Sequence, residues 1–299
     1  AQLTLTLLLT WADMWNQVVQ DVKTKLLAAS GSPHPLSCMG QNFKRVHDLV
    51  LLGVGVSPLG TFSPKHLSSL LLAASKATLP LARASSPRAS LRLDVLSYLY
   101  VTRVSSILSY SLPLLPSGSS HTSSLSHARA RFCRSALGLS PSIPDWLVSA
   151  EFGLLDLPVV ARRDRLLMLY RVYSNVNDSL TPALFTLPLA GGLTQMDHIS
   201  ADLLAMGSKL TASSLMARAP LDARLEVISR SLQAQQTLYT KLATTASPAR
   251  NYFFLTKPDW RVDPAVAKLP VGLAGPYIRW RLADFPLTTA ESGLCAYCG

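Results

Sequence analysis

At Ser63 the apolar residues of this chain change their period, and that change limits the fold more than any other feature. Upstream, in "RVHDLVLLGVGVS" at 45–57, Val and Leu alternate around Gly53 and Gly55. That pattern predicts a strand pair, or one strand with a Gly-bearing turn. Downstream, "SPKHLSSLLLAASKATLPLARA" opens with Ser63 as N-cap and Pro64 at the first helical position, and apolar residues then recur at helical spacing. Pro80 is expected to end or kink this helix. A second helix is predicted from about Ser90 to Tyr110, with Leu93, Leu96, Tyr100, Val104 and Ile107 on one face. A solvated loop is expected over 113–124, then a helix over 124–138 with Gly138 as its C-cap. Another helix follows Pro144, a longer one covers 158–174, and further helices are predicted at 197–206 and 220–244. The proline-punctuated stretch 247–270 receives no assignment. Near the start, residues 10–22 can form a helix, 25–30 a β-like run and 31–37 a Pro/Gly/Ser loop. The fold class is therefore mostly α with a small β portion near the N-terminus (α+β), a helical bundle followed by further helices.

Nearly half of the 299 residues are apolar, so a sizeable core is available, yet only 15% are charged against roughly 25% in soluble domains. That balance, with Ala rather than Met at position 1, fits a piece of something larger. A net charge of +11 points towards a polyanion. The most apolar stretches, 3–11 and 49–56, fall short of the roughly 18–20 residues that span a bilayer, so no membrane partner is expected. No basic n-region or small-residue cleavage site marks a signal peptide. Four cysteines make no disulfide framework, Cys38 and Cys133 are isolated, and an intracellular protein is expected. The sequon at Asn177 then carries no meaning.

The cations cluster. Lys76, Arg83, Arg88, Arg92, Arg103, Arg129, Arg131 and Arg134 face the single acid Asp94 in that stretch. Arginine pairs with phosphate through a planar fork, so helices bearing these residues could follow a nucleic-acid backbone, with Tyr98 or Tyr100 available for stacking. The alternative is ordinary solvated helix faces. A second cluster, 161–171, reads equally as an amphipathic helix surface. Enzyme constellations are absent. The chain holds no G-x-x-x-x-G-K-[ST], H-E-x-x-H or G-x-S-x-G motif, and the glycines at 53 and 55 lack the third glycine of a dinucleotide site. Acids and histidines are scattered singly. Cys295 and Cys298, in "LCAYCG", offer two thiolates where a structural zinc site needs four ligands.

Five segments, in order, resemble the C-terminal half of reverse transcriptases from non-LTR retrotransposons. "LLTWADMWNQVVQDVKTKLLAAS" is similar to the elements after the catalytic Asp-Asp turn, through Trp15 and Lys23-Thr24, with Gln20 in place of the usual Asn. "FKRVHDLVLLGVGVSPLG" resembles the primer-grip hairpin through Leu52, Gly53 and Val54. The stretch 64–115 resembles the thumb, through His66, Lys76-Ala77 and the helix ending near Ser109-Tyr110. The segment 136–166 matches the family's post-thumb pattern at Leu137-Gly138, Pro144, Glu151, Gly153 and Arg162-Arg163. Trp280 and the terminal C-x-x-C resemble the entrance to a Cys/His knuckle.

The resemblance implies the end of a reverse-transcriptase palm over 1–62, a basic helical thumb-like domain over 63–145, a helical linker region over 146–285 and the start of a zinc knuckle over 286–299. It implies RNA-directed DNA polymerase activity in the parent protein. The Mg²⁺-binding carboxylates would lie upstream of Ala1, so this chain alone is not expected to polymerise. Lys23 would stand near the departing pyrophosphate, Leu52, Gly53 and Val54 against the primer end, and the cations from Lys76 to Arg134 along the RNA/DNA hybrid. Zn²⁺ would be held by Cys295 and Cys298 with ligands beyond residue 299, and the location would be nuclear. The rival readings are a non-catalytic nucleic-acid-binding remnant or domesticated interaction protein, and a helical scaffold whose basic face meets acidic protein partners.

Overall fold

The structure is a computed structural model, and it describes residues 25–27, 36–38, 41–46, 49–51, 54–56, 64–85, 91–114, 120–174, 185–186, 194–245 and 259–282. These fall into two compact units divided in sequence between Leu70 and Leu71. The described residues are mostly helical, and their strands lie in the N-terminal part. The expected boundary at 145/146 falls inside the second unit.

In the first unit β1 (Lys25–Leu27) pairs in parallel with β3 (Gln41–Val46), and β2 (Leu36–Cys38) pairs antiparallel on the other side of β3. β3 is rich in polar residues and carries no clear alternation. Its two hydrogen-bonded neighbours, rather than an apolar face, define it as a strand. The loop expected over 31–37 therefore gives way to strand at Leu36. β4 (Leu49–Leu51) and β5 (Val54–Val56) form the expected antiparallel hairpin, with Leu51 opposite Val54 and Val50 opposite Gly55. The helix expected over 10–22 lies outside the described residues.

α1 (Pro64–Ala84) begins at the predicted proline and runs through Pro80 rather than ending there. Pro80 is exposed, so the Lys76 carbonyl that loses its amide partner is on the solvent side, where the loss is cheapest. α2 (Leu93–Tyr100) continues as a π-helical turn, Val101–Ser105, into α3 (Ser106–Ser109). The buried positions along this rod are Leu93, Leu96, Tyr100, Val104 and Leu108, each 1% exposed or less. The expected Ile107 is half-exposed. The wider turn takes more residues per revolution, which moves the inward phase on by one residue, from 107 to 108. Thr102 Oγ1 donates back to the Tyr98 carbonyl (3.0 Å) and Ser106 Oγ to the Thr102 carbonyl (2.9 Å), tying hydroxyls to the rod on both sides of the π turn.

α4 (Ser120–Leu137) starts four residues before the expected Ser124, so part of the predicted loop is helix. It stops at Gly138, φ +64°, with the Leu139 amide donating to the Arg134 carbonyl at 2.9 Å, the predicted C-cap. α5 (Asp145–Glu151) follows Pro144 and ends at Gly153, φ +64°, where the Leu154 amide returns to the Ser149 carbonyl at 2.9 Å. A Cβ on Gly153 would meet Val262 Cγ2 at 2.7 Å, so glycine is required there twice, by dihedral and by space. α6 (Leu157–Ser174), α7 (Gln195–Ala205) and α9 (Pro220–Thr245) match the predicted helices to within a few residues. α7 is closed by a capping box between Thr194 and Asp197. The short α8 (Ala212–Met216) and α10 (Pro264–Ala267) complete the run to α11 (Val271–Arg281).

Two of the apolar centres within the second unit are built on its helices. One lies around Tyr100, whose ring stacks on Phe132 at 4.7 Å, with Phe152 tilted against Phe132 at 6.3 Å. The other joins α6, α7 and α9 through Leu166, Tyr170, Ile199, Leu203 and Val227. The C-terminal segment is part of this bundle. The Leu93 amide donates to the Leu269 carbonyl (3.0 Å) and the Val271 amide to the Leu91 carbonyl (2.8 Å), which fastens the start of α2 to the start of α11. No helix among the described residues is long and apolar enough to cross a membrane.

Candidate nucleic-acid interface

The seven described cations of the cluster divide into three groups. Arg129 and Arg134 face inward and work as struts. Arg129, its side chain 3% exposed, donates to the Leu155 carbonyl and pairs with Asp156 at 3.3 Å. Arg134 donates through Nε to the Ile143 carbonyl at 3.1 Å and pairs with Asp145, clamping α4 to the start of α5. A guanidinium held in this way has its fork occupied and offers little to a phosphate, which corrects the expectation for both residues. Arg92 is on the surface but engages Asp94 two residues on. Lys76, Arg83, Arg103 and Arg131 are exposed, and no acid pairs with any of them among the described residues. Arg88 lies outside the described residues.

The acids explain why those four are left over. Asp94, Asp145, Glu151, Asp156 and Asp164 are held by Arg92, Arg134, Arg281, Arg129 and Arg163. Asp202 takes Arg162 and Arg165, Glu226 takes Arg218 and Arg230, Asp259 takes Arg261 and Asp263 takes Arg281. Asp197 caps α7 and Asp222 sits in the first turn of α9, where the helix dipole favours an anion. Every described acid except Asp222, which sits at a helix start, thus has a local partner, and excess positive charge is displayed on the surface.

These cations are carried by three elements, α1, the π turn and α4. Lys76 and Arg83 are seven residues apart, close to two helical turns, so they share a face of α1. A cleft of about 380 Å³ opens elsewhere, lined by Leu71, Ala74 and Thr78 from α1, Val104 from the π turn, and His127 and Arg131 from α4. Of the described cations of the cluster, Arg131 alone lines it. His127 pairs with Asp145 at the cleft wall. The small residues Ser124, Ala128 and Ser135 on the same face of α4 leave the space open. Their spacing was visible in the sequence but has no meaning until α1 is placed opposite.

Of the two tyrosines expected to stack on bases, Tyr98 is 67% exposed and Tyr100 is fully buried. Burial also pushes the Tyr100 hydroxyl well above its ordinary pKa. Tyr100 is a core residue. In the second cluster, Arg162 and Arg165 are turned to Asp202 and Arg163 to Asp164, which leaves Arg171 exposed. Glu151 and Gly153, read from the sequence as family markers, have structural duties here: an ion pair with Arg281 and a left-handed turn against Val262.

Of the primer-grip residues, Val54 is buried in β5, while Leu52 and Gly53 lie outside the described residues, as do Lys23, Cys295 and Cys298. Among the described residues no group of three or more His, Cys, Asp or Glu could hold a metal ion. Cys133 is fully buried, and burial pushes its thiol up to about 12, against the opposing pull of Arg129 and Arg134. At pH 8 it is therefore a thiol and not a thiolate. Iodoacetamide should leave Cys133 unmodified in the folded chain and label it fully in denaturant, as read by peptide mass; rapid labelling of the folded protein would contradict the burial. Comparison with known protein families, with curated proteins and with solved structures finds no match to this chain.

Proposed function

We propose that this chain is part of an RNA-directed DNA polymerase of the non-LTR retrotransposon kind, contributing a basic helical thumb that holds the RNA/DNA template-primer by its backbone. The order of the five resembling segments supports the polymerase assignment. The observation that carries the binding role is the contrast between engaged acids and the exposed Lys76, Arg83, Arg103 and Arg131, none paired with an acid among the described residues. On this reading Lys23 serves the departing pyrophosphate and Leu52, Gly53 and Val54 the primer end. The chemistry of nucleotide addition would reside in Mg²⁺ held by carboxylates outside this sequence. A non-catalytic remnant would bind in the same way, and the two are separated by whether the transcript encodes an aromatic-x-Asp-Asp turn shortly upstream in frame.

Binding is tested by fluorescence anisotropy of a labelled RNA/DNA hybrid over a salt series. Four phosphate contacts predict an affinity that falls about a hundredfold between 50 and 200 mM salt, by release of condensed counterions. Replacing Lys76, Arg83, Arg103 and Arg131 together by alanine should flatten that slope, whereas Arg92→Ala should leave it nearly unchanged. A native chain that ignores the hybrid at low salt, or binds acidic protein in its place, would overturn the proposal. So would a salt slope indifferent to the four substitutions.

A further inference from the structure

α11 turns an apolar stripe to solvent. Leu273, Tyr277 and Trp280, at helical positions i, i+4 and i+7, are 63%, 41% and 58% exposed, while Val271, Ala274 and Ile278 on the other face are buried. Isolated exposed apolar residues are ordinary on protein surfaces, but three in register including two large aromatics form a patch. The Tyr277 and Trp280 rings lie 5.9 Å apart and 39° from parallel. Beneath them the Arg281 guanidinium stands 5.5 Å from the Tyr277 centroid, locked from below by Glu151 and Asp263.

Charge identifies the occupant. α11 contains no acid, and its last turn carries Arg279 and Arg281. The carboxylates of Glu151 and Asp263, which reach this helix, are held by Arg281. Arg279 flanks the stripe and Lys268 stands exposed just before the helix, neither with an acid partner among the described residues. A patch with flat aromatic rings, nearby cations and no unpaired carboxylate among the described residues suits a polyanion that itself presents flat rings.

We propose that Tyr277 and Trp280 form a stacking platform for unpaired bases of a single-stranded nucleic acid, with Leu273 extending the apolar floor and Arg279 reaching a backbone phosphate. This rests on the nucleic-acid reading above and adds a second mode to it. The cations of α1, the π turn and α4 grip backbone, whereas α11 takes bases by their faces. Bases within a duplex are covered by their neighbours, so this platform discriminates single strand from duplex.

The test compares a labelled oligothymidylate with a labelled RNA/DNA hybrid on the full chain at the same low salt. Trp280→Ala should weaken the oligothymidylate between about 5- and 150-fold and the hybrid by less than about twofold. Its salt slope should stay unchanged, because no phosphate contact is removed. Trp280→Phe keeps a ring and should retain most of the affinity. Trp280 is exposed, so neither change threatens folding. Equal loss on both ligands, or no loss on oligothymidylate, overturns the platform. If the hybrid binds and responds to the four-cation variant while oligothymidylate ignores Trp280, this inference alone fails; if neither nucleic acid binds, the functional reading fails with it.

Discussion

Arg281→Ala is expected to lower the unfolding free energy by about 3–5 kcal/mol. The Arg281 and Glu151 side chains are 3% and 1% exposed, and Arg281 also reaches Asp263 at 2.9 Å. Removing the guanidinium leaves Glu151 buried without its counter-charge, and the desolvation cost of a lone carboxylate exceeds anything the vacated space returns. Asp263 is partly exposed and also caps α10, so it tolerates the loss better. Urea denaturation followed by far-UV circular dichroism reads the change. The double variant Glu151→Leu with Arg281→Met should recover most of it, because a well-packed apolar pair needs no compensation for desolvated charge. A loss below about 1 kcal/mol would mean that the pair behaves as a solvated surface bridge.

Gly275→Ala is expected to destabilise the bundle by about 1–3 kcal/mol, although alanine is the better helix former by about 1 kcal/mol. A Cβ at position 275 would lie 2.6 Å from the carbonyl oxygen of Leu137 and 3.3 Å from its carbon. Both obstacles are backbone, at the last residue of α4, so no side chain can swing aside. α11 must move off α4 or the end of α4 must distort. For a unit of this size each kcal/mol lowers the melting temperature by roughly 2–4 °C, which thermal unfolding detects. An unchanged or raised melting temperature would show that propensity wins and that the helices are not in such close contact.

The helices were legible where local rules suffice. Ser63-Pro64 marked the start of α1 and Gly138 the end of α4, and α6 and α9 lie within a few residues of their expected ranges. Those signals depend on neighbours one turn away and survive in the sequence intact. The π turn at Val101–Ser105 was not legible, since one residue more per turn leaves no mark in a stretch where Val104, Ile107 and Leu108 all offer apolar side chains. α11 lies in the stretch expected to be helical without an individual helix drawn in it. Its Gly275 is required because a backbone lies against it, and its Pro276 is on the exposed side.

The sequence alone sets the mostly helical class, the strands of the N-terminal part and the surplus of arginine over acid between Lys76 and Arg134. It could not say which cations remain available. Arg129 meets Asp156 across 27 residues and Arg281 meets Glu151 across 130, and such pairings exist only once distant helices are side by side. Tyr98 and Tyr100 differ by two residues in sequence, yet one is exposed and the other is a core ring against Phe132. Periodicity is a property of the local backbone, whereas burial and charge pairing belong to the contacts between elements. The class of fold was therefore written along the chain, and the candidate surface was decided only by its packing.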